Sequence, residues 1–275
     1  MSICIPAVAT KVAFPPLPLP NTANLIGGQH DFFVAIRQSC IGGINLAEEN
    51  SQNRLPTGKN AAKLARMIRF NFFGIPVEIQ PWFWITMALL GSGGRNGENQ
   101  ALSIALFVIA GAISIFIHEL GHAYAGKFFK ARPFIVLQAF GGFAAFPGSA
   151  FTRVQSFLVT AAGPAIQLAL GAAAVAVLLF APLPTDNIKG FVIDLRIVSF
   201  FWALLNMIPV YPLDGGQMMA AVLGPQRRRL MLKISIGTAV LVSLAFLLLK
   251  LGLMFPIFML LYAYQNFQEL TGSSD

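Results

Sequence analysis

Residues 113–126 read ISIFIHELGHAYAG, placing two histidines and a glutamate at the end of an apolar run that begins at Ala101. Ionisable groups are expensive in lipid or in a dry core, so a chain that keeps three of them together points to a function. His118, Glu119 and His122 form H-E-x-x-H. On a helix, positions i and i+4 lie about 40° apart around the axis and one turn along it, so both imidazoles point into one space. That is a bidentate seat for one divalent ion, and in this motif the intervening glutamate is the general base on water. A single buried histidine is more often a satisfied core residue. Here the chain has three histidines, two of them in the motif and the third, His30, far upstream.

The surroundings are those of a membrane protein. Of 275 residues 56% are hydrophobic and 11% charged, with a mean hydropathy of +0.69, against about 45–50% apolar and 25% charged in soluble domains. The net charge of +8 falls in short basic clusters between apolar runs, which is a topology signal and not a nucleic-acid surface. Both cysteines, Cys4 and Cys40, lie near the N-terminus, so the rest of the chain offers a metal no thiolate and must hold it with His, Asp or Glu. The first 20 residues lack a basic start and contain five prolines, unlike a signal peptide.

Residues 1–66 show no sustained apolar period and are expected to be a disordered tail, with the organised domain over 67–275. Six apolar runs follow, at 73–92, 101–126, 154–181, 193–214, 230–249 and 252–267. They predict an all-α polytopic fold of about six transmembrane helices. Between the second and third runs, FIVLQAFGGFAAFPG at 134–148 is too short to span, and its two apolar arms around Gly141–Gly142 predict a membrane-associated β-hairpin. Backbone of that kind is tolerated at membrane depth only beside protein or a wet cavity. Lys and Arg number twelve in the connections on one side of the six runs and four on the other, which predicts both termini in the cytoplasm.

A zinc site for hydrolysis takes three protein ligands and keeps one position open. Glu78 interrupts the weak first run; in the other runs the acidic residues are Glu119 and Asp214, with Asp194 at the mouth of the fourth. Runs two and four cross in the same direction, so His118 and Asp214 are expected at similar depth near the cytoplasmic face, and Asp214 is the natural partner. Its context, ALLNMIPVYPLDGGQ, carries Pro209 and Pro212, which break a helix, and Gly215–Gly216, which permit a tight turn. A Pro-kinked helix end with an interfacial aspartate is the other reading of that segment.

H-E-L-G-H at 118–122 together with N-x-x-P-x-x-x-x-D-G at 206–215 resembles the site-2 protease family of intramembrane zinc metalloproteases. The similarity extends to A-G-P at 162–164, F-G-G at 140–142 and I-P-V-E-I-Q-P-W-F-W at 75–84, and covers about residues 67–268. The resemblance implies one zinc ion on His118, His122 and Asp214, with Glu119 activating water and Asn206 steadying the substrate carbonyl or the developing oxyanion. Where the family often has an asparagine after A-G-P, this chain has Gln167, and no catalytic role is carried onto it. The runs leave no room for a peptide-binding domain or a C-terminal nucleotide-sensing domain, so a compact version is expected.

The function so implied is an endopeptidase that cuts in or near transmembrane segments of membrane proteins, in regulated intramembrane proteolysis or clearance of signal-peptide remnants. Its partners would be transmembrane substrates and the lipid bilayer, with no nucleic acid; its oligomeric state is left open and its place is a bacterial inner membrane. A divalent-metal transporter and a non-catalytic client-binding homologue are the alternatives. Because the organised sequence opens at Met67, the natural chain is expected to start there; an intact mass of the natively produced protein that includes residues 1–66 would refute this.

Overall fold

The computed structural model describes residues 68–93, 99–139, 141–250 and 252–272; the expected tail over 1–66 lies outside them. The described chain begins with two strands, β1 (Ile68–Phe72) and β2 (Ile75–Ile79), paired antiparallel with Phe72 opposite Ile75. The connection between them is Phe73–Gly74, with φ of 47° and 80°. Two consecutive positive φ values make the mirror-image turn whose twist matches that of a hairpin, and glycine takes the second position without steric cost.

Pro81 then opens α1 (Pro81–Ser92), where a missing N–H costs nothing and the fixed φ suits a first helical turn. After α2 (Gln100–Phe128) come β3 (Phe134–Gln138) and β4 (Gly141–Ala145). β3 lies parallel to β2, with Val77 opposite Ile135, and antiparallel to β4, so the sheet order is β1-β2-β3-β4. The helices α1 and α2 form the crossover that a parallel pair requires.

Two expectations change here. The run at 73–92 does not form one spanning helix, because residues 75–79 are strand and α1 has 12 residues, about 18 Å of helix against a hydrocarbon core of about 30 Å. The alternation in IPVEI is the period of a strand, and Glu78, which reads as an interruption of a helix, is a partly exposed strand position bonded to Arg69 at 3.1 Å. The hairpin at 134–148 does form, as half of a four-stranded mixed sheet within a mostly helical fold. Gln138 pairs with Gly141, so the two glycines open β4 instead of making the turn.

The remaining helices are α3 (Arg153–Phe180), α4 (Asp186–Asn206), α5 (Asp214–Leu223), α6 (Arg228–Leu248) and α7 (Met254–Gly272). Thr152 starts α3 through a capping box, its hydroxyl accepting from Gln155 N while Gln155 Oε1 accepts from Thr152 N. Among the described residues, α2, α3 and α6 with its preceding turn are long and apolar enough to cross a membrane. α4 has 21 residues but carries Asp186, Lys189, Asp194 and Arg196 in its first half.

The sheet register decides what faces α2. Val77, Ile135 and Ala144 form one cross-strand row and are all buried in one apolar core with Ile115, Leu120 and Ala123 of α2. Phe146, 1% exposed, seals that contact. Its ring lies so close to α2 that a Cβ on Gly126 would sit 2.1 Å from it. Phe146→Ala is therefore expected to destabilise the protein by about 3–5 kcal/mol, read as a lower melting temperature in detergent; an unchanged melt would show that the sheet does not depend on this packing.

Candidate metal centre

α2 presents His118 and His122 from successive turns, both fully buried, with ring centroids 4.7 Å apart. Their Nε2 atoms are 3.0 Å apart, and Asp214 Oδ2 lies 3.0 Å from that of His118 and 3.5 Å from that of His122. The three residues expected to share a metal thus converge, whereas Asp194, buried in α4, is not in that group.

The outer ring nitrogens determine what these atoms can hold. His118 Nδ1 donates to Gln167 Oε1 at 2.8 Å, and His122 Nδ1 donates to the carbonyl of Val159 at 2.8 Å. Both partners are acceptors only, so in each neutral ring the proton sits on Nδ1 and Nε2 carries a lone pair. Two lone pairs and a carboxylate oxygen then face one another in a dry interior, and Asp214 Oδ2 accepts no hydrogen bond. A cation at their common focus turns this repulsion into attraction. Two imidazoles and a carboxylate are a donor set that zinc takes, and three protein ligands leave the fourth position for water or substrate.

Small residues bring α3 close enough to complete the arrangement. A Cβ on Gly121 would lie 2.6 Å from the Ala162 carbonyl, and one on Gly163 would lie 2.2 Å from His122 Nε2. The motif glycine and A-G-P are therefore the two halves of a single close approach. Pro164, inside α3, removes the donor for the Thr160 carbonyl and loosens the helix there, next to the Val159 carbonyl that receives His122.

Asp214 arrives differently from the sequence expectation. α4 ends at Asn206, residues 207–213 form a loop, and Asp214 is the first residue of the separate helix α5. A carboxylate in the first turn is favoured by the helix dipole. Val210 N to Ile208 O and Leu213 N to Val210 O, each 2.7 Å, fold the loop, and Tyr211–Pro212 is cis. The loop then crosses the start of α5 so closely that a Cβ on Gly215 would meet the Met207 carbonyl at 2.1 Å and one on Gly216 would meet Tyr211 N at 2.3 Å. Neighbouring helices tie it down: Tyr211 N donates to Ser235 Oγ of α6 at 3.1 Å, and Asn266 Nδ2 of α7 donates to the Tyr211 carbonyl at 2.6 Å. Val210 and Leu213 are buried with Ala239, Met259 and Ala263 of the same two helices.

Glu119 is fully buried and turned toward β4, where a Cβ on Gly142 would lie 2.8 Å from its Cγ and 3.0 Å from its Oε1. Gly142 is thus the position at which the sheet touches the motif. Asn206, also fully buried, is the last residue of α4 and lines a cleft of about 40 Å³ with Leu90, Trp202, Leu213 and Phe258. Sequence reasoning passed over the hydrogen-bonding of Gln167, Ser114 and Ser199. A signal was present for one of them: Ser114, His118 and His122 recur at i, i+4 and i+8, on one face of α2.

Comparison with known proteins gives a consistent family. The model for peptidase family M50 matches residues 182–250, which include Asn206 and Asp214. A zinc metalloprotease of Methanocaldococcus jannaschii is 26% identical over 188 residues, covering 67% of this chain and 53% of its own length. Stage IV sporulation protein FB of Bacillus subtilis is 27% identical over 154 residues, covering 55% and 49%. The chain thus spans about half the length of these curated relatives. The solved structure of the site-2 protease from Methanocaldococcus jannaschii superposes with a TM-score of 0.52 at 25% identity, over 74% of this chain and 95% of that one. With its apolar helices, its His–His–Asp cluster and these relatives, the chain is an integral membrane protein similar to peptidase family M50 and to a solved site-2 protease.

Proposed function

We propose that the protein is a zinc endopeptidase that hydrolyses peptide bonds in or near the transmembrane segments of other membrane proteins. The observation that carries this reading is the convergence of His118, His122 and Asp214 in a buried space with Glu119 beside it. His118, His122 and Asp214 would hold zinc, which when bound would supply a Lewis acid for a peptide carbonyl and lower the pKa of water. Glu119 takes the proton of that water and passes it to the leaving amine. Asn206, which lines a mostly apolar cleft, orients the substrate carbonyl and stabilises the charge that develops on it. The divalent-metal pathway is less well supported, because the buried Gln167, Ser114 and Ser199 are bonded to one another and to His118 and do not mark out a route.

A carbonyl in an intact helix is tied up in its own hydrogen bond, so the substrate must unwind before it is cut. β4 ends the sheet, and an unwound substrate adds along it as a further strand, which delivers its backbone beside Gly142 and Glu119. The chain lies in a bacterial inner membrane with the connections at 127–153 and 215–233 on the cytoplasmic side. This is supported by the three long apolar helices and by the basic residues clustered in those two connections.

Elemental analysis of detergent-purified protein is expected to give about one zinc per chain, lost or weakened in His118→Ala and Asp214→Asn. Glu119→Gln should keep the metal and cut transmembrane model peptides about 10²–10⁴-fold more slowly. Gly142→Ala, whose new methyl lands on the Glu119 side chain, should also keep zinc and lose most activity. A wild type without zinc, or a Glu119→Gln variant as fast as wild type, sinks the reading. Strand addition has its own check: peptides N-methylated at alternate residues flanking the cleaved bond should resist cleavage, and equal rates for methylated and unmethylated peptides would remove β4 from the mechanism.

A further inference from the structure

We propose that Gln167 is a positioning residue of the metal centre, holding His118 in the tautomer that offers Nε2 to the ion and held in turn by Ser114 and Ser199. The consequence for metal rests on the zinc reading above, while the arrangement itself rests on four buried side chains in a line. Gln167 is completely buried in α3. Its Nε2 donates to Ser114 Oγ at 2.9 Å and approaches the Ser114 backbone carbonyl at 3.4 Å. That carbonyl has no proton to give. With the amide flipped, Oε1 would face it, and the amide N–H group would face the ring nitrogen of His118. The orientation with Oε1 on His118 Nδ1, at 2.8 Å, is therefore the one in which every group is matched.

Beyond Ser114 the line continues to α4. Ser114 Oγ is 2.9 Å from Ser199 Oγ, and both serines are fully buried. Ser199 stands seven residues before Asn206, two turns along one face of α4. The line Ser199–Ser114–Gln167–His118 thus joins the helices that carry the motif, the A-G-P contact and Asn206. In a dry interior, breaking one link strands a polar group on either side of it. The two histidines differ in this respect. His122 leans on a backbone carbonyl that no side-chain replacement removes, so only the orientation of His118 depends on a replaceable group.

A metal-bound imidazole gains basicity and a fixed ring plane from an acceptor on its other nitrogen, and loss of that acceptor costs roughly 10–100-fold in affinity. Gln167→Leu and Gln167→Glu separate this role from simple packing, because the two roles predict opposite orders. If Gln167 only fills space, leucine suits a dry site and a buried carboxylate harms it. If Gln167 is the acceptor for His118, leucine removes the function and glutamate keeps it, its second oxygen accepting from the Ser114 hydroxyl 2.9 Å away, a stronger contact than the 3.4 Å approach to the Ser114 carbonyl. Zinc affinity of the full-length protein in detergent, measured by competition with a chromogenic chelator, is expected to fall roughly 10–100-fold in Gln167→Leu and to stay level in Gln167→Glu. Affinity in Gln167→Leu equal to wild type, or weaker binding in the glutamate variant than in the leucine one, overturns the inference and leaves the proposed function standing. A wild type that binds no zinc removes both. Should Gln167→Leu fail to fold, Ser199→Ala carries the test: it touches no ligand, a several-fold loss of zinc affinity supports the line, and wild-type affinity overturns it.

Discussion

Two imidazole nitrogens and a carboxylate oxygen stand 3.0–3.5 Å apart in a dry interior, and with both rings neutral and their protons on Nδ1 these atoms repel one another unless a cation lies between them. Much of the fold serves to bring about that convergence. α2 and α3 touch through glycines because a methyl group at Gly121 or Gly163 would push apart the surfaces that place His122. The sheet packs on α2 through a row of apolar side chains and then gives up its side chain at Gly142, where Glu119 needs the room. Each of these choices weakens ordinary packing locally, and each is explained by the site.

The break between α4 and α5 follows from the same requirement. Had α4 continued unbroken, residue 214 would lie eight residues and about 12 Å beyond Asn206 along the helix axis. The loop at 207–213 instead folds back over the start of α5, setting the aspartate at a helix N-terminus. A carboxylate is favoured there by the helix dipole. Gly215 and Gly216 therefore help to place Asp214, since they let the loop pass close enough for so short a side chain to reach the histidines.

The parts of this that could be read from sequence are those in which chemistry and spacing are local. H-E-x-x-H fixes its own geometry through the helical repeat, and an aspartate between prolines and glycines in an apolar chain has few roles. The sheet was harder to see. Residues 73–79 look like the start of a spanning helix because they continue into the apolar run that ends at 92, and the period-two alternation that identifies β2 covers only five residues. The glycine pair at 141–142 was recognised as special for the wrong physical reason: a turn and a close contact both call for glycine, and sequence does not separate them. Gln167 illustrates another limit. An amide one methylene longer than the family's common residue still has to find its partners, and these lie on two other helices, at Ser114 and, through it, Ser199.

The third ligand also depends on helices that contribute no ligand. The loop before Asp214 hangs from Ser235 and Asn266 by hydrogen bonds to the backbone of Tyr211, and its apolar side chains are buried against α6 and α7. α7 also lines, with Phe258 and Met259, the mostly apolar cleft that Asn206 shares. Asn266 thus joins a helix that lines the cleft to Tyr211, three residues from the aspartate. α6 and α7 are better understood as the outer wall of the metal centre than as a separate membrane anchor.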